Sequence, residues 1–130
     1  MPITHNIDHD RKLVQATLQG LVTDEEIFNY QREVWSRPEV AGYDELIDAN
    51  AVMQFERTTA NRVHELAAVS ARMDAPPHPS KIAIVAAGNM QFGMARMYQT
   101  YRELETKGTK IIQVFRALDE ALKWLESDAN

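Results

Sequence analysis

The spacing of apolar and polar positions changes several times along the chain, and each change marks an element. In ITHNIDHDRKLVQATLQG the second half alternates: Val14, Ala16 and Leu18 take one side, Gln15, Thr17 and Gln19 the other. A period of two is that of a strand with one covered face. The polar run DHDR, 8–11, predicts a hairpin turn from a first strand over 3–7, and Gly20 is the expected end of the pair.

The period then lengthens. Thr23 with Glu26 three residues later is a capping-box pattern, and Asp24, Glu25 and Glu26 suit a helix N-terminus. Ile27, Tyr30 and Val34 recur at helical spacing, with Phe28 and Trp35 on the flank and Pro38 beyond the end. DELIDAN, 44–50, predicts a short third strand. A second helix over 58–74 carries Val63, Leu66, Ala67, Ser70 and Met73 as its inner stripe. APPHPS, 75–80, is a loop by its prolines. KIAIVAA is apolar on both faces, as a central strand covered by helices requires. A third helix spans about 89–106 and stops at Gly108, the expected C-terminal cap. KIIQVF, 110–115, is a fifth strand, and ALDEALKWLES a fourth helix with Leu118, Ala121, Leu122 and Leu125 inward.

The order β-β-α-β-α-β-α-β-α predicts an α/β fold. Its five-stranded sheet is mostly parallel, with the first strand antiparallel in its hairpin and about four helices packed on it. Each β-α-β crossover is expected to be right-handed.

Composition narrows the function. The 130 residues fit one domain, 1–130, able to bury a core. No apolar run approaches the ~20 residues of a transmembrane helix. MPITHNIDHD has no secretory h-region, so cytoplasmic residence is the default expectation. The absence of cysteine excludes disulfides and thiolate metal sites. A net charge of −5, with Lys and Arg scattered, argues against nucleic acid and against electrostatic attraction to anionic lipid.

The opening hairpin, LIDAN after the first helix, KIAIVAA leading into a helix and the closing VFRALDEALKWLES together resemble the SpoIIAA-like group of small bacterial proteins. That group is related to STAS domains and, in fold, to the lipid-binding CRAL-TRIO (Sec14-like) domains. The resemblance covers roughly 3–127. It implies a non-catalytic binding or regulatory module acting through a protein partner, with no cofactor. The alternative it leaves is a small-molecule or lipid carrier, with peripheral membrane contact open. STAS anti-sigma-factor antagonists place a phosphorylatable Ser at the start of the helix after the LIDAN-type strand. The D-S-S-G run is missing here, and Thr58 or Thr59 are the only hydroxyls that stand in that place.

Several positions are candidates on their own chemistry. Gly88 and Gly93 have P-loop spacing, but Met94 and Ala95 replace the Lys and the hydroxyl that such a loop needs. Gly88-Asn89 reads as a strand-to-helix turn with Asn89 as N-cap. Asp48, Asn50, Gly88 and Asn89 would share a crevice at the carboxyl ends of neighbouring parallel strands, with Arg57 and Arg62 assisting capture of an anionic group.

Met90, Met94, Met97, Tyr98, Tyr101 and Leu104 fall on one face of the third helix, either as core or as the lid of a cavity. Phe92 and Trp124 lie off their stripes and are the expected interface of a homodimer or partner. His5 and His9 would sit roughly 13 Å apart in a strand, too far to share a metal, and His64-Glu65 lacks a second His. Asp44, Asp48 and Glu56 are the carboxylates that a third reading, a hydrolase, would use.

Overall fold

The chain is described by a computed structural model covering residues 2–74, 80–105 and 108–127. Its elements are β1 (Ile3–Asp8), β2 (Leu13–Thr23), α1 (Asp24–Val34), a 3-10 turn (Pro38–Val40), β3 (Asp44–Glu56), α2 (Ala60–Arg72), β4 (Lys81–Val85), α3 (Asn89–Leu104), β5 (Ile111–Phe115) and α4 (Leu118–Glu126). Most of the expected loop 75–80, with His78, lies outside the described residues.

The five strands form one sheet in the order β1-β2-β3-β4-β5. β1 is antiparallel to β2, and every later pair is parallel. The hairpin turns where expected. The Asp8 carboxylate accepts from the backbone N–H of Asp10 and Arg11, each at 3.1 Å, and Lys12 takes a left-handed φ of 52°. Because the strands add in one direction, right-handed crossovers put α1, α2 and α3 on the same face. The alternation of β4 bears this out. Ile82 and Ile84 pack with Val63, Leu66, Ala95 and Tyr98, whereas Ala83 and Val85 pack with Ala121, Leu122 and Trp124 of α4 on the other face.

Local signals explain the boundaries. The capping box at α1 is complete: the Glu26 N–H donates to Thr23 Oγ1 at 3.2 Å, and the Thr23 N–H donates to Glu26 Oε1 at 2.9 Å. Gly20 ends the pairing of β1 with β2, as expected, but not β2 itself. It sits inside the strand at φ +68°, beside a register shift against β3, and β2 continues to Thr23. Glycine takes that conformation without a Cβ penalty, and the extra residue at the shift, Met53, belongs to β3. β3 also outruns its expected end by six residues, because β2 remains beside it as far as Glu56.

The expected stripes are shifted on two helices. On α3 the buried residues are Ala95, Tyr98 and Arg102, while Met90 and Leu104 are exposed. On α4 Ala121 is buried and Leu118 exposed. Phe28 and Trp35, placed on the flank of α1, are buried. α3 ends at Leu104, so Gly108 follows the helix rather than capping it.

An ion pair joins the amino-terminal end of the parallel sheet to the helices. Asp74, just past α2, accepts two bonds from Arg102 Nη2 at 2.9 and 2.8 Å, and the backbone N–H groups of Thr109 and Lys110 at 2.8 and 3.1 Å. Both side chains are 2% exposed. Removing one partner strands the other charge out of water. Asp74→Ala is therefore expected to destabilise the protein by about 3–5 kcal/mol in urea unfolding; a loss below about 1 kcal/mol would contradict this reading.

Candidate functional site

In the turn expected to form an anion crevice the polar side chains bond within the turn, while the N-terminus of α3 has no side-chain cap. β3 and β4 are neighbours, and their ladder ends at Asp48 and Val85. Asp48 accepts from the Asn50 N–H at 2.9 Å, and Asn50 Oδ1 accepts from the Ala87 N–H at 2.7 Å. Gly88, not Asn89, is the N-cap of α3, and Asn89 Oδ1 instead accepts from Arg116 Nη1 at 3.1 Å. A Cβ at position 88 would run into Gln91 Oε1, and Gln91 is held by its own bond to the Val52 carbonyl.

Arg57 does not join this group. It lies seven residues beyond Asn50, roughly 20 Å along an extended strand, exposed and at φ 59°. Arg62 is engaged with Asp24 and Glu65, both at 2.6 Å, and this contact holds the Asp24 carboxyl below its ordinary pKa. The cation that does reach the turn is Arg116, at the carboxyl end of β5, which also donates to the Ala87 carbonyl at 2.9 Å. Sequence spacing gave no signal for it, because only the register of β5 beside β4 brings it there.

The two threonines differ. Thr59 is exposed and caps α2 by accepting from the Arg62 N–H at 3.3 Å; Thr58 is half-buried and donates to the Glu56 carbonyl at 3.1 Å. Phe92 and Trp124 are both half-buried. The Arg116 guanidinium stacks 4.0 Å from the centre of the Phe92 ring. Trp124 packs against Phe115, with the Lys81 ammonium 5.1 Å over its ring. Asp44 accepts from the Lys81 N–H at 2.8 Å, and Glu56 ends β3 eight residues beyond Asp48, so these acids do not converge. His9 Nδ1 bonds the Tyr43 hydroxyl at 2.8 Å, and among the described residues no three His, Cys, Asp or Glu side chains gather as metal ligands would.

The cavity lies elsewhere, between the sheet and α1–α3. It measures about 80 Å³, opens to the surface, and is walled almost wholly by carbon. Ile47 and Ile84 form its floor on the sheet, Ile27 and Leu66 its flanks, Met94 and Ala95 its roof. It follows from the shifted α3 stripe: small Ala95, rather than a methionine, faces the sheet, so the helix leaves space beneath it. The half-buried lining residues Ile3, Phe55, Thr58 and Gln91 place its mouth toward the carboxyl ends of β2 and β3. A larger groove of about 220 Å³ runs between β1 and α1, bordered by polar His5, Glu26, Asn29 and Glu33.

The opposite end of the same helical face is polar. Tyr30 donates to Glu45 Oε2 at 2.6 Å, and Trp35 Nε1 donates to the same oxygen at 3.1 Å. Tyr98 and Ser70 share a hydrogen bond at 2.8 Å. Burial raises the pKa of both tyrosines, and for Tyr30 the Glu45 carboxylate adds to the effect. Lys110 lies with its ammonium 3.2 Å from the centre of the Trp35 ring, and burial lowers its pKa from 10.5 to about 8 against the pull of Glu45 and Asp74. A water-sized space of about 10 Å³ separates Glu45, Gln31 and Lys110. Gln31 and Ala95 are the site residues that sequence reasoning missed. Gln31 stands four residues after Ile27 and three before Val34, beside the apolar stripe, but a glutamine there carries no apolar signal of its own.

Together these features define an α/β module with a SpoIIAA-like fold, its three crossover helices on one face and an apolar pocket beneath them. The likeness is to the 2.25 Å crystal structure of an uncharacterised protein of the DUF3478 family, with a SpoIIAA-like fold, from Shewanella loihica PV-4. The two superpose with a TM-score of 0.59 at 18% identity, over 95% of this chain and 93% of that one. No protein-family model matches the sequence. No curated protein matches it either. Among the described residues no helix is long and apolar enough to cross a membrane.

The lowered pKa of Lys110 sets a pH dependence. Below about pH 8 the amine is protonated both folded and unfolded, and the folded protein bears the cost of burying the charge. Between about 8 and 10.5 only the folded state has released the proton, so stability rises with pH across that window. Lys110→Met is expected to raise stability at pH 7 by on the order of 2 kcal/mol, with the gain shrinking to nothing by pH 10.5. A pH series of thermal melts measures this, and a gain independent of pH would point to packing rather than charge.

Proposed function

We propose that this protein is a small-ligand binding module whose pocket receives an apolar group between the sheet and α1–α3. The observation that carries this reading is the pocket itself: an open, carbon-lined space roofed by Met94 and Ala95. Its volume is about half of the ~150 Å³ that holds benzene in an engineered apolar cavity. It therefore suits a short chain or the end of a longer one, and the unbranched Met94 side chain can yield to admit more.

A second reading, binding through a protein partner, has a specific support as well. Leu21 and Met53 are 48% and 82% exposed on the outer parts of β2 and β3. Phe92 and Trp124 serve that reading less well, since each is half-buried against Arg116 or Phe115. Catalysis by loop carboxylates has the least support, because Asp44, Asp48 and Glu56 face separate tasks.

Methyl NMR of Ile47 and Ile84 under xenon tests the ligand reading. The wild-type signals are expected to move saturably, whereas Ala95→Leu, which fills the roof, should abolish the shift. Wild-type methyls that stay fixed, or an Ala95→Leu protein that responds as the wild type does, would defeat it.

A further inference from the structure

Gln31 gives the pocket a chemical preference. It lies on α1 and is only 5% exposed; its carboxamide makes no hydrogen bond to a described residue, yet its polar atoms are not sealed, unlike Ser80 Oγ and Thr109 Oγ1. Its buried polar neighbours are paired: Tyr30 and Trp35 with Glu45, Ser70 with Tyr98, Arg102 with Asp74. An amide that keeps access to a cavity and has no protein partner is free to bond what enters that cavity, since it offers two donors and an acceptor. Gln31 borders both the apolar pocket and the small polar space beside Glu45 and Lys110, so it stands where the two environments meet. The other polar side chains on the pocket wall are engaged. Tyr30 bonds Glu45, Tyr98 bonds Ser70, Gln91 bonds the Val52 carbonyl and Thr58 the Glu56 carbonyl.

We infer that the ligand of this pocket is a small amphiphile, a short apolar body bearing one neutral oxygen group that hydrogen-bonds the Gln31 carboxamide. An alcohol, ketone or amide fits. A bare hydrocarbon leaves Gln31 unpaired. The adjoining space sets Glu45 and Asp74 against Arg102 and Lys110, so it offers no net charge that would call for an ionised ligand. The inference rests on the ligand-binding reading above and adds the polarity of the ligand to it.

The test is an isosteric pair, 1-butanol and n-pentane, titrated by methyl NMR into the wild type and Gln31→Met, which keeps side-chain length and loses the amide. The ratio of the Kd for 1-butanol to that for n-pentane is expected to rise roughly fivefold in Gln31→Met. In the wild type, the Gln31 side-chain NH₂ resonances should move with 1-butanol and stay with n-pentane, a readout that needs no variant to fold. An unchanged ratio, or amide resonances that follow both probes equally, overturns the amphiphile inference while leaving an apolar pocket. If neither probe binds, the ligand reading falls and this inference with it.

Discussion

The carboxylate of Asp74 fixes where three elements meet. It follows α2, pairs with Arg102 in the last turn of α3, and accepts the two N–H groups that lead into β5. A buried pair of this kind is tolerated when further hydrogen bonds satisfy it, and here four bonds fill the Asp74 carboxylate. One helical turn back along α3, the Tyr98 hydroxyl meets Ser70 of α2. The carboxyl-terminal half of α3 is thus fastened to α2 by polar contacts of set length. Its amino-terminal half meets the sheet through Ala95 and a flexible methionine, and there the packing leaves space.

The helical face of the sheet therefore has two characters along one strand direction. Near the amino ends of β3, β4 and β5 it is a paired polar network around Glu45, Asp74, Arg102 and Lys110. Near the carboxyl ends it is apolar and loosely filled. Tyr30 and Tyr98 sit at the seam, each with its ring toward carbon and its hydroxyl in the network, and Gln31 borders both sides. Long amphipathic side chains suit such a boundary because their polar ends can be satisfied on one side only.

Most of this fold was legible in the sequence, because period and caps act locally. The alternation of Val14, Ala16 and Leu18, the Thr23/Glu26 box and the all-apolar KIAIVAA each report a constraint that neighbouring residues impose. The misreadings have a common cause in tertiary context. Gly20 closes the hairpin pair as its type suggests, yet β2 runs on to Thr23 because β3 lies alongside it. The α3 stripe drawn through Met90 and Leu104 assumed equal weight around the helix, whereas the close approach of helix to sheet selected Ala95 and admitted Arg102 because Asp74 awaited it. Among the candidate site residues, the juxtaposition of Asp48, Asn50, Gly88 and Asn89 was foreseeable from neighbouring strands. Arg57 failed to join them because β3 continued past its expected end. The pocket itself had no signature beyond a methionine-rich helix, and a polar Gln31 among apolar neighbours looks the same in a sequence whether it faces solvent or a cavity.

The strand order carries a consequence for how the molecule comes into being. Every strand pairs with the one before it in the chain, so no strand waits for a partner made much later. A parallel sheet ordinarily assembles slowly because distant segments must find each other. Here the hairpin of β1 and β2 offers a finished edge as soon as it emerges, and each following helix and strand adds to the last edge laid down. Synthesis from the amino terminus and assembly of the sheet run in the same direction, which shortens the time any one edge stands open to a neighbouring chain.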